Sequence, residues 1–98
     1  MRETQKPSDK DHRQQITQKQ AKDADSTVRM KLIDRLEEKG YGALVSRHEI
    51  LGVLTEEYAE AIEAVTLKSI QEVRDELIDL AVGCIFGVAC IDAEAVDW

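Results

Sequence analysis

Two stretches of the chain decide its fold: residues 46–66, SRHEILGVLTEEYAEAIEAVT, and residues 69–91, SIQEVRDELIDLAVGCIFGVACI. Each opens with a capping box, in which a serine is followed three residues later by a glutamate: Ser46 with Glu49, and Ser69 with Glu72. These caps and the helical spacing of the apolar residues predict two helices. Because only a few residues around Leu67 and Lys68 separate them, we expect an antiparallel hairpin.

The earlier helix of the hairpin carries an apolar stripe, which is typical of a helix that faces a core. The stripe consists of Ile50, Leu54, Tyr58, Ala61 and Val65. At about 100° per residue, Glu57 and Glu60 fall on one edge of this stripe. Glu56 and Glu63 fall opposite it. The pattern therefore predicts two semi-buried glutamates and two that face solvent.

The later helix of the hairpin is amphipathic in its first half and apolar on all sides in its second half. In the first half, one face carries Val73, Leu77, Leu80, Ala81 and Cys84. The apolar run over residues 80–91 is too short to span a bilayer, which needs about 20 residues, so it indicates burial in protein. A chain of this length is too small to surround the run, and we expect the later helices of several copies to pack together.

The apolar run also contains two glycines and two cysteines. Gly83 and Gly87 are four residues apart, a spacing that either allows neighbouring backbones to approach closely or simply weakens the helix. Cys84 and Cys90 point in different directions on a helix and cannot bridge each other. We expect both cysteines to be buried and reduced.

A further helix precedes the hairpin. It is predicted to begin at Thr27 and to end where Lys39 is followed by Gly40. Its apolar residues are Val28, Leu32, Ile33 and Leu36. We therefore assign residues 27–98 to one helical domain and residues 1–26 to a polar N-terminal tail or extension. The extension is expected to be a tail, with a polar helix that runs into the next element as the alternative.

Together these elements predict an all-α fold, in which an antiparallel helical hairpin and a preceding helix complete a helix bundle by homo-oligomerisation. Charge is divided unevenly along the chain. Residues 1–27 carry six basic and five acidic side chains, whereas residues 28–98 carry seven and fifteen. Such acidity argues against binding to nucleic acid, and the N-terminus lacks the apolar region of a secretory signal. We expect a cytoplasmic protein with no nucleic-acid or membrane partner.

The hairpin also predicts where acidic side chains meet. With the turn centred near position 68, Glu60 and Glu76 are each eight residues from the turn. Glu57 and Asp79 are each eleven residues from it, so each pair falls at one height. Four carboxylates at a core edge repel each other and favour a hard cation with oxygen ligands, such as Mg²⁺. The other nearby acids are interpreted as a cap, Glu72, and as surface charges, Glu56, Glu63 and Asp75.

At these positions the sequence resembles a known family. Residues 56–60, EEYAE, and residues 75–79, DELID, resemble the EExxE and ExxD elements of the MazG-like, all-α nucleoside triphosphate pyrophosphohydrolase superfamily. The 15 residues between Glu60 and Glu76 fit the spacing of that family. The resemblance implies a helical homodimer or homotetramer that hydrolyses an NTP or dNTP to the monophosphate and pyrophosphate. It also implies that Mg²⁺, or Mn²⁺ in its place, is bound by Glu57, Glu60, Glu76 and Asp79.

In many members of the MazG-like superfamily, side chains from the first helix and from a neighbouring subunit also bind the nucleobase and the phosphates. The basic residues considered for this role are Lys31, Arg35, Arg47, His48 and Arg74. None of them falls in a recognisable motif. We therefore interpret each of them as a solvated surface charge.

A second hypothesis is a non-enzymatic helical interaction protein. Such a protein uses the apolar run of residues 80–91 to dimerise and the polar N-terminal segment to bind a partner. The two hypotheses differ in one property, because the enzyme needs a divalent cation and the interaction protein does not. A nucleic-acid-binding regulator ranks last, because residues 1–27 have a net charge of only +1.

Overall fold

The computed structural model describes residues 13–98, and the regular secondary structure in this part of the chain is helical. Helix α1 spans Gln18–Lys39, α2 spans Arg47–Leu67 and α3 spans Ile70–Asp92. The predicted all-α fold is confirmed for these residues. None of the three helices combines the length and the apolar character needed to cross a membrane.

The turn between α2 and α3 fixes the hairpin. Lys68 and Ser69 alone separate the two helices. The Lys68 N–H closes α2 by donating to the carbonyl oxygen of Ala64 at 3.0 Å. Ser69 then forms both hydrogen bonds of the predicted capping box: its Oγ accepts from the Glu72 N–H at 3.2 Å, and its N–H donates to the Glu72 carboxylate at 3.4 Å. Because the turn is this short, α2 and α3 lie side by side and antiparallel.

The start of α2 shows one half of its predicted capping box. The Ser46 Oγ accepts from the Glu49 N–H at 3.2 Å, as predicted. The Glu49 carboxylate accepts instead from the Val45 N–H, at 2.7 Å. The glutamate therefore satisfies the backbone donor one residue before the expected one, and the helix still begins directly after Ser46.

Helix α1 begins earlier than its apolar spacing predicts. Thr17 and Gln20 form a capping box, with hydrogen bonds of 3.0 and 2.8 Å, so the helix starts well before Thr27. Residues 18–26 therefore form the polar helix that was the alternative to a tail, while residues 1–12 lie outside the described residues. Apolar periodicity misses this part because none of its side chains is buried.

Local polar interactions support the early turns of α1. The Lys19 ammonium lies 2.8 Å from the Asp23 carboxylate, and the Arg29 guanidinium lies 2.6 Å from that of Asp25. Both pairs join residues four apart, which face each other on a helix. Capping and local ion pairs thus extend the helix without a hydrophobic stripe.

Helix α3 is the central element of the described chain. Helices α1 and α2 both pack against α3, and the backbones of α1 and α2 do not approach each other. Helix α1 packs through Val28, Leu32 and Leu36, which are half-buried. Helix α2 instead buries two small side chains, Ala61 and Ala64. Small side chains let two helix axes come close together, which brings the polar groups beside them within reach of each other.

The packed face of α2 differs from the predicted stripe. Tyr58 and Val65 belong to that stripe but are 60% and 66% exposed. The shielded positions are Ile50, Val53, Leu54, Glu57, Ala61 and Ala64. The prediction was wrong here because α2 has apolar residues on two faces, and spacing alone does not say which of them meets α3.

The apolar second half of α3 is buried on one side only. Val82, Gly87 and Cys90 are buried, whereas the opposite side remains open. Its exposed apolar residues are Ile85, Val88 and Ile91, and two members of the predicted face, Leu77 and Cys84, are exposed as well. Burial on every side is therefore not reached within a single chain.

The two glycines of α3 leave room for a side chain within a single chain. A Cβ at Gly83 would lie 3.6 Å from the Cγ1 of Val53, an ordinary contact distance, and one at Gly87 would meet nothing within 4 Å. Neither glycine is thus needed for packing within one chain. Both cysteines are free thiols, as predicted, and Cys90 is buried. Cys84 is exposed, so the prediction of its burial was wrong, because α3 is covered on one side only.

The C-terminal residues tie the end of α3 to the start of α2. The Asp97 N–H donates to the carbonyl oxygen of Val45 at 2.7 Å. The Arg47 guanidinium lies over the ring of Trp98, 5.8 Å from its centroid, a cation–π contact. These contacts close the hairpin at the end opposite its turn.

The backbone at Gly40 gives a test of the fold. Gly40 ends α1 with φ of 94° and ψ of 175°, a conformation that residues with a Cβ rarely adopt. Gly40→Ala is therefore expected to lower the free energy of unfolding by about 1–3 kcal/mol. Urea unfolding measures the change.

The matched control is Gly42→Ala in the same loop. Gly42 has no positive φ, and an added Cβ would meet nothing within 4 Å. We expect this variant to stay within about 0.5 kcal/mol of the natural chain. Equal losses in the two variants would contradict the backbone conformation described at Gly40.

Candidate metal centre

Three carboxylates converge where α2 and α3 pack. Helix α2 contributes Glu57, and α3 contributes Glu76 and Asp79. One oxygen from each of these residues lies within 4.8 Å of the others, and all three residues are half-buried. We refer to Glu57, Glu76 and Asp79 as the carboxylate triad. The structure thus brings together three of the four residues predicted for the site.

The fourth predicted residue, Glu60, lies at the solvent edge of the triad. It follows Glu57 by nearly one helical turn and is exposed. Glu60 is close enough to raise the pKa of both Glu57 and Glu76. The predicted quartet is therefore a half-buried triad with one more carboxylate beside it.

The surroundings of Glu57 favour its protonated form. They raise the pKa of Glu57 from its ordinary value of 4.5 to about 7. Burial is the largest cause, because it disfavours the charged carboxylate. The hydrogen bond with Glu60 and the negative charges of Asp79 and Glu60 act in the same direction, while the Arg35 guanidinium opposes them. The site therefore holds a proton for part of the time at neutral pH.

Glu76 lies in a similar environment. Its pKa is raised first by burial and then by the charges of Glu60 and Asp79, against a lowering by Lys68. Its Oε1 is buried and has no hydrogen-bond partner among the residues that the structure describes. Because buried polar atoms are normally paired, an oxygen left in this way is suited to bind something that the protein itself does not supply.

A cation from α1 reaches the site. The Nη2 of Arg35 lies 3.0 Å from the Oδ1 of Asp79, and the two side chains are only 27% and 25% exposed. The interpretation of Arg35 as a solvated surface charge was therefore wrong. The available signal was its position beside Leu32 and Leu36, but the sequence of the loop between α1 and α2 does not reveal how α1 lies on α3.

The other basic residues considered for substrate binding lie elsewhere. Arg47 stacks on Trp98 at the open end of the hairpin. Lys31 lines a cavity between α1 and α3, and His48 and Arg74 are exposed. Arg35 is thus the one member of that group placed directly on the triad. The acids interpreted as surface charges are exposed, as predicted: Glu56, Glu63 and Asp75.

Open cavities lie on both sides of the pair formed by Arg35 and Asp79. One, of about 270 Å³, lies between α1 and α2, and Arg35, Glu57 and Phe86 are among its lining residues. Another, of about 500 Å³, lies between α1 and α3 and is lined in part by Lys31 and Asp79. A ligand larger than a metal ion can therefore reach the triad from either side.

The donor set of the triad fits a hard divalent cation. Carboxylate oxygens are the ligands that Mg²⁺ takes in proteins, usually together with water and phosphate oxygens. One oxygen of Glu76 is buried with no partner in residues 13–98, and Arg35 supplies one positive charge to a group of four acids. Glu57, Glu76 and Asp79 would hold the cation, with Glu60 at the solvent edge.

The raised pKa of Glu57 predicts how stability depends on pH in the absence of divalent cations. The folded protein binds the Glu57 proton more tightly than the unfolded chain does, where the pKa is near 4.5. This contribution to stability is therefore lost as the pH rises from about 4.5 to about 7. Glu57→Gln, which cannot ionise, should be more stable than the natural chain by roughly 1 kcal/mol at about pH 8. Urea unfolding in EDTA at several pH values measures the difference.

The control is Glu56→Gln, which removes an exposed carboxylate from the preceding position of α2. This variant should follow the pH dependence of the natural chain. If the difference in stability between the natural chain and Glu57→Gln is the same at about pH 5 and about pH 8, the description of Glu57 is wrong.

The centre thus consists of a half-buried carboxylate triad, a fourth carboxylate at its solvent edge and one paired arginine. Comparisons of the chain with protein-family models, with curated proteins and with solved structures found no match.

Proposed function

We propose that this protein hydrolyses a nucleoside or deoxynucleoside triphosphate to the monophosphate and pyrophosphate, with Mg²⁺, or Mn²⁺ in its place. The proposed ligands are Glu57, Glu60, Glu76 and Asp79. The observation that carries the proposal is the convergence of the carboxylate triad, one member of which, Glu76, has a buried oxygen with no hydrogen-bond partner among the described residues. Carboxylates this close repel each other, and a divalent cation removes the repulsion.

The resemblance to the MazG-like superfamily supports the same residues. Its two motifs lie in residues 56–60 and residues 75–79. The triad draws one carboxylate from the first motif and two from the second, across the interface between α2 and α3. The motifs that imply a pyrophosphohydrolase are thus also the segments that face each other in the folded chain.

The proposed reaction is an in-line attack of water on the α-phosphorus. When bound, the cation neutralises the triphosphate, lowers the pKa of water and orients it for attack. The bond from the α-phosphorus to the bridging oxygen breaks, and pyrophosphate leaves. The chain supplies ligands from two helices at a fixed separation, and one carboxylate of the group accepts the proton of the attacking water. The cavities beside Arg35 and beside Asp79 give room for the substrate.

A panel of NTPs and dNTPs tests the proposal, with pyrophosphate release as the measurement. At least one member should be cleaved in Mg²⁺ or Mn²⁺. Glu76→Gln and Asp79→Asn should each lower kcat/KM by more than the roughly 10- to 100-fold loss that is typical when an outer-shell partner is removed, because each removes a ligand itself.

The matched control is Glu63→Gln, which removes an exposed acid on another face of α2 and should leave the activity unchanged. If no member of the panel is cleaved, and if Glu60→Gln binds Mn²⁺ as tightly as the natural chain does, the proposed site is wrong.

The proposed enzyme is a homodimer or homotetramer, and its exposed apolar residues support this. They form one row at helical spacing on each helix of the hairpin, which we call the apolar face. The row on α2 is Leu51, Tyr58, Ile62 and Val65, and the row on α3 is Ile70, Leu77, Val88 and Ile91. All eight residues are between 48% and 88% exposed. Apolar surface gathered in this way marks an interaction site.

The apolar face lies away from the carboxylates. At 100° per residue, the row on α2 is nearly opposite Glu60, and the row on α3 is nearly opposite Asp79. A second copy presents the same two rows, so the two hairpins can pack as a four-helix core around a twofold axis. The triad remains open to solvent in such an assembly.

Light scattering at micromolar concentration tests the assembly, and we expect a single species larger than a monomer. Ile62→Glu and Val88→Glu place a charge in the centre of the apolar face and should yield monomers, because a buried unpaired charge is costly. The control is Ile16→Glu, at a residue before α1 that is 74% exposed and outside the apolar face. A monodisperse monomer of the natural chain would contradict the proposed assembly.

A non-enzymatic helical interaction protein is the second candidate function. The observation that favours it is the same apolar face, which serves a binding role without any chemistry at the triad. The nucleotide panel distinguishes the two candidates, because an interaction protein releases pyrophosphate from none of its members.

A further inference from the structure

Arg35 and Asp79 form the one ion pair that joins distant parts of the described chain. Their side chains are 27% and 25% exposed and come from helices α1 and α3. The remaining ion pairs join residues four apart on α1, and their side chains are between 62% and 84% exposed: Lys19 with Asp23, and Arg29 with Asp25. Exposed pairs of that kind contribute little to stability, whereas a shielded pair between two helices restrains both of them.

Helix α1 has few other attachments. It contains no buried residue, and its apolar side chains Met30 and Ile33 are 67% and 49% exposed. In the part of the chain that the structure describes, the bond from Arg35 to Asp79 is the only side-chain hydrogen bond between α1 and another helix. The placement of α1 therefore depends on this bond and on a few half-buried apolar residues.

The bond also restrains a member of the carboxylate triad. The Arg35 guanidinium donates a hydrogen bond to the Oδ1 of Asp79. The other oxygen of this carboxylate remains available to bind a cation. A guanidinium is a planar donor that fixes the orientation of the carboxylate it binds. Groups that orient metal ligands in this way commonly contribute to affinity although they do not touch the metal.

We propose that Arg35 is a positioning residue of the carboxylate triad: it fixes Asp79 through one oxygen and thereby links the docking of α1 to the binding of a divalent cation between α2 and α3. This inference rests on the proposed function. It adds a residue from a helix that contributes no ligand, and it gives α1 a role in the site.

Two effects of Arg35 on the cation oppose each other. Its positive charge repels a divalent cation, while its hydrogen bond holds Asp79 in the orientation in which it binds. The repulsion is a single charge acting on the cation from beyond the ligands, whereas the hydrogen bond acts directly on a ligand, and loss of such a partner typically weakens metal binding about 10- to 100-fold. We therefore expect orientation to dominate, so that removal of Arg35 weakens cation binding.

Titration of the full chain with Mn²⁺ in a calorimeter tests this expectation. Arg35→Met keeps the length and the apolar stem of the side chain but removes its donors and its charge. We expect Mn²⁺ to bind Arg35→Met at least about tenfold more weakly than it binds the natural chain. Arg35→Lys, which keeps the charge and one donor group, should recover part of the affinity. Arg29→Gln, on the exposed side of α1, is the matched control and should bind as the natural chain does.

Hydrogen exchange in saturating Mg²⁺ tests the link to α1. Exchange of the backbone amides in residues 28–36 should slow at least about tenfold when Mg²⁺ is added to the natural chain. The same amides should respond little in Arg35→Met. A residue with a purely structural role would change the exchange rates of α1 equally with and without Mg²⁺.

The outcomes separate this inference from the proposed function. Equal or tighter binding of Mn²⁺ by Arg35→Met, or equal slowing of exchange in both proteins, would overturn the role of Arg35 and leave the proposed function standing. If the natural chain binds no Mn²⁺, both are wrong.

Discussion

The arrangement of the candidate site depends on the two-residue turn between α2 and α3. Lys68 ends α2, and Ser69 caps α3. The capping box of Ser69 and Glu72 therefore fixes where α3 begins. The length of this turn therefore sets the register of α3 along α2, and with it the separation of Asp79 from Glu57. A local feature of the chain thus determines whether carboxylates 22 positions apart in the sequence meet in space.

The same hairpin gains little stability from hydrophobic burial. The buried apolar residues of the described chain are small or medium in size, Ala61, Ala64, Val82 and Cys90, and no large side chain is fully buried. The free energy gained by burial is roughly proportional to the apolar area buried. In a single copy this gain is small, and it is opposed by the repulsion between the carboxylates of the triad. The proposed cation and the proposed second copy would each bind the folded chain but not the unfolded chain. Each would therefore stabilise the fold by mass action.

Local features account for the part of the structure that the sequence predicts. The caps, the short turn and the heights of Glu57 and Asp79 all follow from spacing within one hairpin. The stripe on α2 is correct at Ile50, Leu54 and Ala61 but wrong at Tyr58 and Val65, which are exposed. The helix carries two apolar faces, and its spacing alone does not say which of them packs on α3. The same limit applies to Arg35, since the loop after α1 permits several placements of that helix on α3.

The two sides of the hairpin divide the proposed functions between them. The apolar face lies away from the triad, so association of copies through it would leave the carboxylates accessible. With no buried residue of its own, α1 is the kind of element that opens at low free energy. The shielded ion pair between Arg35 and Asp79 adds to the few half-buried apolar contacts that hold α1 on α3. For this reason a change in charge at the triad can alter the docking of a whole helix, which is not the case for a helix that is anchored by a large apolar core.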